Sequence, residues 1–271
     1  MSGLTRCAEG IDAYKIALFR FVIGLALLGT AALFGKIRLK FNNPLLLFLR
    51  GLIGGSGVFL FFVSIVALGI GRGTVIIYAF PVFASLFGML FLGERIGARK
   101  WLAILGAFLG ICLLVTGRSG GGGGFSLGIY EGLAILGAVL FGLAVVIIKK
   151  LHDTDSSYSI FFAQCLIGVW LMLVPANLVP CSIGYSGGAL LLAIGVVAAI
   201  GQLLMTESYR HLTVTTGSLL GMGIPVLNLA IGTLAFGEQL SPQSGVGAGI
   251  VIAACAVVIL IRDNPGTETQ P

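Results

Sequence analysis

Charged side chains make up only 10% of the 271 residues, and just two histidines are present. A soluble domain carries about 25% charged residues, so this chain lacks the polar surface that would keep a globule of its size in water. Between Ser156 and Thr206 there is no charge at all, a run long enough to cross more than two hydrocarbon cores as helix. These shortages exclude a soluble enzyme, a nucleic-acid-binding domain and a disordered chain. Metal patterns are missing too: there is no Cys-x-x-Cys, and neither histidine stands at ligand spacing from a cysteine. Cys112, Cys165 and Cys255 sit inside apolar runs and read as packing residues, while Cys7 and Cys181 map to one outer side where they can pair. No cofactor or metal is expected. The first apolar run starts too late and runs too long for a cleavable signal peptide.

What the chain has is apolar length. Apolar and aromatic residues make up 58% of it, and the mean hydropathy is +1.10. Nine runs of helix-spanning length are predicted at Tyr14–Gly35, Pro44–Leu68, Gly73–Leu92, Trp101–Gly117, Leu127–Ile148, Tyr158–Val179, Gly187–Ser208, Val214–Phe236 and Pro242–Ile261. None shows the two-residue alternation of a membrane β-barrel. Forty-two glycines, about twice the usual share, suit helices whose backbones approach closely in a bilayer. The Gly120–Gly124 run reads as a flexible connector, since no Gly-Lys-Ser/Thr follows it to make a phosphate loop.

Sixteen Lys and Arg against ten Asp and Glu give a net charge of +6, and the basic residues fall unevenly. One side receives Lys36, Arg38, Lys40, Arg95, Arg99, Lys100, Lys149, Lys150, Arg210 and Arg262, with Arg50 leaning that way; the other receives Arg6, Lys15, Arg72 and Arg118, with Arg20 nearby. The positive-inside rule makes the first side cytoplasmic, with the C-terminus inside and this chain's N-terminus outside.

A repeat is the most informative feature. Gly73-Thr74, Pro81-Val82, Gly88 and Gly93-Glu94 recur 144 residues later as Gly217-Ser218, Pro225-Val226, Gly232 and Gly237-Glu238, and Tyr14 and Tyr158 share that offset. The helix Leu127–Ile148 has its counterpart upstream of Met1, so four helices stand in the first half against five in the second. An odd-numbered unit in tandem inserts upside down. The expected fold is therefore an all-α integral membrane protein with nine helices of a ten-helix, five-plus-five inverted-repeat bundle, the chain being a shortened form of it. Residues 1–117 form the first repeat, 118–126 the connector, 127–262 the second repeat and 263–271 a cytoplasmic tail.

Leu92-Gly93-Glu94-Arg95 followed by Trp101-Leu-Ala-Ile-Leu-Gly106-Ala-Phe-Leu-Gly110 resembles the end of an EamA-type repeat of the drug/metabolite transporter superfamily. So do Phe236-Gly237-Glu238 before Gly245–Ile261, and the Arg20-Phe21 pair. The resemblance implies ten helices, both termini cytoplasmic, and movement of small metabolites or drugs, often outward. It also implies that the absent first helix lines the substrate path.

Polar groups deep in a membrane each need a reason. Pro81 and Pro225 lie mid-run on equivalent helices, where a proline frees the carbonyl four residues back, here those of Ile77 and Gly221. Carbonyls exposed at mid-depth suit a solute site between the repeats. Tyr78, Ser85, Ser218 and Asn228 surround them, with Gln202 and Thr206 on the preceding helix. The expected substrate-binding set is Tyr78, Pro81, Gln202, Thr206, Ser218, Pro225 and Asn228; plain kinks and interhelical hydrogen bonds are the alternative. Ser56 and Ser64 read as satisfying helix backbone. Glu131 has no basic neighbour in sequence and is the proton-coupling candidate. Glu207 reads as the partner of Arg210 three residues on, and Glu94 and Glu238 as structural acids beside glycine turns. Arg20 snorkels or attracts anionic solutes.

Glycines four apart at Gly51/Gly55, Gly106/Gly110, Gly217/Gly221 and Gly245/Gly249 suit helix contacts or a homodimer. The expected function is secondary-active transport of a small organic solute, outward, by alternating access in the cell inner membrane. With no ATP motif, energy comes from a proton gradient or exchange. A non-transporting structural membrane protein is the alternative. Gly54-Gly55-Ser56-Gly57 has the form of an intramembrane serine protease site, but His152 and His211 fall in interfacial loops, where neither can serve as its base.

Overall fold

The computed structural model describes residues 13–118, 128–178, 185–237 and 241–260. Cys7, Cys181, Glu238 and the Gly120–Gly124 connector lie outside the described residues, so the expectations placed on them are not addressed. Ten helices follow in order: α1 (Ala13–Leu33), α2 (Pro44–Ile77), α3 (Phe80–Leu92), α4 (Ala98–Arg118), α5 (Ile129–Leu151), α6 (Ser157–Leu178), α7 (Tyr185–His211), α8 (Val214–Gly221), α9 (Ile224–Phe236) and α10 (Pro242–Leu260). Among the described residues they make nine segments long and apolar enough to cross a membrane, and no strand. Large apolar side chains face outward around the bundle; Leu90, Leu109, Trp170, Leu204 and Leu234 are 61–88% exposed. Water would penalise such a surface and lipid would not.

Two of the predicted spans are broken rather than continuous. Gly73–Leu92 divides at Tyr78–Ala79 between α2 and α3, and Val214–Phe236 divides at Met222–Gly223 between α8 and α9. The breaks correspond residue for residue: Tyr78 has φ −72°, ψ 4° and Met222 φ −66°, ψ −13°, each closing the helix before the break. Pro81 and Pro225 therefore stand at the second position of a new helix, where an N–H would have no partner anyway, and not inside an unbroken one. α2 carries a further break at Gly69, whose φ of 79° and ψ of 161° only glycine adopts without strain. Its counterpart in the second half is Thr213, which ends the α7–α8 turn and caps α8 by accepting from Thr216 N at 3.2 Å.

The 144-residue repeat thus reappears in the backbone. α3 and α9 begin and end at corresponding residues. Each closes on a left-handed glycine, Gly93 (φ 66°) and Gly237 (φ 64°), whose N–H bonds to Gly88 O and Gly232 O respectively.

The most extensive helix pairings all join the two halves of the chain: α2 with α5 and α6, α4 with α10, α1 with α6 and α7, and α3 with α5 and α8. Glycine makes these crossings possible. A Cβ at Gly110 would stand 2.8 Å from Gly247 O, one at Gly247 would stand 2.5 Å from Gly110 O, and one at Gly55 would lie 3.6 Å from the Cα of Gly168. The glycine spacing noticed in the sequence is thus used inside the molecule, though in a different register from that expected for α4 and α10. Gly106 and Gly249 have nothing within 4 Å. α5 covers α2 and α3, and among the described residues no helix takes the equivalent place against α7 and α9.

Candidate functional site

Residues next to both prolines border one buried cluster. Tyr78 and Val82 rest on the same buried cluster as Val226 and Leu229, together with Ile104, Ile111, Leu219 and Met222. Phe80, at the first position of α3, stands 6.3 Å from the Tyr78 ring and 6.4 Å from Phe141 of α5, and it touches the face of Gly221 that has no side chain. Pro81 and Pro225 are both buried and Tyr78 and Asn228 half-buried. Tyr78 and the residues that follow Pro81 and Pro225 thus border one cluster to which both halves contribute.

The hydroxyls of the expected set behave differently. Thr206 Oγ1 donates to Gln202 O at 2.8 Å, and Ser218 Oγ to Val214 O at 2.7 Å. Both side chains are fully buried. Each satisfies itself on the carbonyl one turn back, as Ser64 does on Leu60 O. Gln202 is half-buried, with only a 4.0 Å contact to Met205 S. No described hydrogen bond joins Gln202, Thr206 or Asn228 to Tyr78. Ser85 is fully buried, and its Oγ has no partner.

The acids have identifiable employment. Glu131 sits in the first turn of α5, 5% exposed, and its Oε2 accepts from Gly128 N at 3.0 Å, an end-cap that also suits the positive pole of the helix. Glu131→Gln, which keeps that acceptor, is expected to leave the pH dependence of flux unchanged. Glu131→Ala is expected to lower stability by about 0.5–2 kcal/mol; a flattened pH profile in the Gln variant would assign the coupling role instead. Glu207 pairs with Arg210 at 3.5 Å along one helix face.

Glu94 reaches across the halves. Its carboxylate accepts from Val214 N at 2.6 Å, Thr215 N at 3.2 Å and Thr215 Oγ1 at 2.9 Å, closing the N-terminus of α8. Asp155, unremarked in the sequence, does the same in the other direction. It is 5% exposed and accepts from Asn42 N at 2.8 Å and Asn43 N at 3.2 Å, just ahead of α2. Asn42 Nδ2 in turn donates to Thr154 O, and Lys40 N to Ser159 Oγ. All of these contacts lie on the side carrying most of the Lys and Arg. On the opposite side α4 and α10 are tied by Ser244 Oγ to Leu114 O at 2.9 Å and Gln243 Nε2 to Thr116 Oγ1 at 3.0 Å.

Arg50, which the sequence places only as leaning to the Lys- and Arg-rich side, lies about 9 Å along α2 from Pro44 and is 2% exposed. Its Nη2 donates to Gln164 Oε1 of α6 at 2.8 Å, while Nε and Nη1 have no partner. The one sequence signal was that no acid stands within a turn of Arg50 to pair with it. Arg20 itself is half-buried, 5.0 Å from the centre of the Phe21 ring.

Comparison with known proteins agrees with this architecture. A solved crystal structure superposes with a TM-score of 0.79, covering 95% of this chain and 90% of the other at 18% identity, which shows a shared fold. The pseudopaline exporter of Pseudomonas aeruginosa is 28% identical over 275 residues, spanning 98% of this chain and 92% of its own length. The riboflavin transporter of Rhizobium johnstonii is 26% identical over 231 residues (82% and 72%). The S-adenosylmethionine uptake transporter of Rickettsia prowazekii is 23% identical over 261 residues (92% and 83%). Residues 4–116 and 128–260 each match the family described as EamA-like transporters, and the chain, a multi-pass membrane transporter, belongs to that family.

Proposed function

We propose that the protein exports small organic metabolites or drugs by alternating access, its two halves rocking about a mid-depth site near Pro81 and Pro225. Residues 1–117 and 127–262 are the moving halves, with 118–126 the connector and 263–271 the tail. The side rich in Lys and Arg faces the cytoplasm, in a cell inner membrane. The observation that carries the reading is that the extensive helix pairings run between the halves, while each half breaks its own helix at Tyr78–Ala79 or Met222–Gly223. Helix ends at the repeat interface leave backbone groups for a solute to bind. With the carboxylate contacts of Glu94 and Asp155 in place, the cytoplasmic side is shut. Opening it requires those contacts to break, and a solute drives the switch only by binding the two states unequally. The relatives named as moving pseudopaline, riboflavin and S-adenosylmethionine support a metabolite-sized organic cargo. A proton gradient or exchange supplies the energy.

The test is counterflow in proteoliposomes loaded with pooled labelled metabolites. Exchange well above empty liposomes is expected. Tyr78→Ala and Asn228→Ala are expected to lower it about 5- to 10-fold, the equivalent of one hydrogen bond or ring contact each, at unchanged membrane insertion. Full exchange in both variants would remove these residues from the site, and no exchange by the parent chain would remove the transport reading.

A further inference from the structure

Between α2 and α6 the outer surface of the bundle is hollowed. Phe41 and Phe48 on one side and Phe162, Leu166, Ile167 and Trp170 on the other line a groove of about 620 Å³. α2 belongs to the first half of the chain and α6 to the second, so the groove follows the seam between them. Its mouth lies where the Phe41 and Phe162 rings stand 6.0 Å apart, beside the bond from Lys40 N to Ser159 Oγ at 3.1 Å. From Phe162 to Trp170 it runs about 12 Å along α6, most of the way through one leaflet of a hydrocarbon core about 30 Å thick.

The chain leading to this mouth is basic. Lys36, Arg38 and Lys40 are exposed, while Ile37 and Leu39 between them are half-buried, so the three bases share one outer face. Among the described residues none of the three is paired with a carboxylate. Of the acids nearby, Asp155 is 5% exposed and accepts from Asn42 N, Asn43 N and Thr154 Oγ1. Asp153 pairs with Lys150 at 3.0 Å. An apolar slot of leaflet depth, with unpaired positive charge at its open end, is complementary to a molecule with a long apolar chain and an anionic head.

We infer that this groove seats one acyl chain of an anionic phospholipid, whose phosphate lies against Lys40 and Arg38. Long basic side chains at a membrane surface reach such headgroups and bind them selectively. A transported metabolite needs convergent polar groups to orient it, and no charged or hydroxyl side chain lines this groove. A second copy of the chain, inserted in the same direction, would bring its own Lys36, Arg38 and Lys40 to the same end, like charge against like charge. The lipid meets neither objection. The assignment does not depend on the transport reading above.

The chain carries its own reporter. It has two tryptophans, and Trp170 lines the groove with 75% of its surface exposed, so a Trp101→Phe protein leaves Trp170 as the single fluorophore. The protein is placed in bilayers mixing phosphatidylglycerol with phosphatidylcholine. One of the two lipids carries bromine at mid-length of its acyl chains, where it quenches a tryptophan on contact. Brominated phosphatidylglycerol is expected to quench Trp170 at about one-fifth of the mole fraction that brominated phosphatidylcholine needs, the worth of one base near an anionic headgroup. Replacing Lys36, Arg38 and Lys40 together by glutamine should abolish this preference and leave quenching by phosphatidylcholine unchanged. Leu109→Trp, with both native tryptophans replaced by phenylalanine, is the control. Leu109 is 61% exposed on α4, outside the groove, and the control should show no preference. Equal quenching of Trp170 by the two lipids, a preference that survives the triple variant, or the same preference in the Leu109→Trp protein would each overturn the assignment. Quenching by neither lipid would overturn it as well, because protein, such as a second copy, would then cover the groove.

Discussion

Replacing Glu94 with alanine is expected to open the cytoplasmic side of the molecule. The carboxylate takes two backbone N–H groups and one hydroxyl at the start of α8, where the helix N-terminus favours negative charge. Hydrogen bonds to a charged acceptor contribute about 1.5–3 kcal/mol each when isolated. Water can replace part of them once the halves separate, so a loss of about 2–4 kcal/mol falls on the closed state alone. That moves the balance between closed and open states by roughly 30- to 700-fold. Cys165 reports the change, because it is completely buried between the halves and its thiol becomes reachable only when they part. In a background with the other four cysteines replaced by serine, a membrane-impermeant maleimide applied from the cytoplasmic side should label Cys165 at least tenfold faster in the Glu94→Ala protein. Equal labelling would show that the carboxylate does not hold this face shut.

The second large effect is expected at the crossing of α4 and α10. Gly247 sits where an added Cβ would meet Gly110 O and Leu114 N, both at 2.5 Å, and backbone atoms have no rotamer by which to move aside. Gly247→Leu should therefore force the helices apart at a cost of about 3 kcal/mol or more. It should also break the Ser244 bond to Leu114 O that closes the same pair of helices. Aggregation on size-exclusion chromatography, or a strongly lowered melting temperature, is the expected result. Gly249→Leu is the control, since nothing lies within 4 Å of it, and it should be stable and unchanged in oligomeric state. If Gly249→Leu altered the oligomer while Gly247→Leu did not disturb the monomer, the glycine stripe would serve a dimer and not this internal crossing.

Much of the architecture was legible because a bilayer leaves the chain few choices. A span needs about twenty apolar residues, and the inverted repeat follows from residue identities that recur at one interval. The breaks at Tyr78–Ala79 and Met222–Gly223 were hidden for a physical reason. Their backbone angles stay close to helical, and the residues around them are as apolar as the rest of the span, so hydropathy runs through without a dip. Thr206 and Ser218 stand out in the sequence as hydroxyls among apolar residues, and what the sequence does not show is that each donates to the carbonyl one turn back. Glu131 was read by the bases near it in sequence, and such a reading does not show that its carboxylate also accepts from a backbone N–H at its own helix start. For Arg50 a count of charges by side tells which end of the helix it is near but not which way its face turns. Only the packing of α2 on α6 brings it to Gln164, 114 residues away in the chain.

The claim on which the rest depends is that transport needs the cytoplasmic contacts between the halves to break and reform. Cysteines at Asn42 and Thr154, whose parent residues are joined there by a hydrogen bond, can be tied by a short, reducible bifunctional cross-linker in an otherwise cysteine-free protein. Counterflow of pooled labelled metabolites is then followed in proteoliposomes before cross-linking, after it, and after reduction. Alternating access predicts that exchange falls to the level of empty liposomes in the tied protein and returns on reduction. Exchange that continues undiminished with the cross-link in place would contradict it.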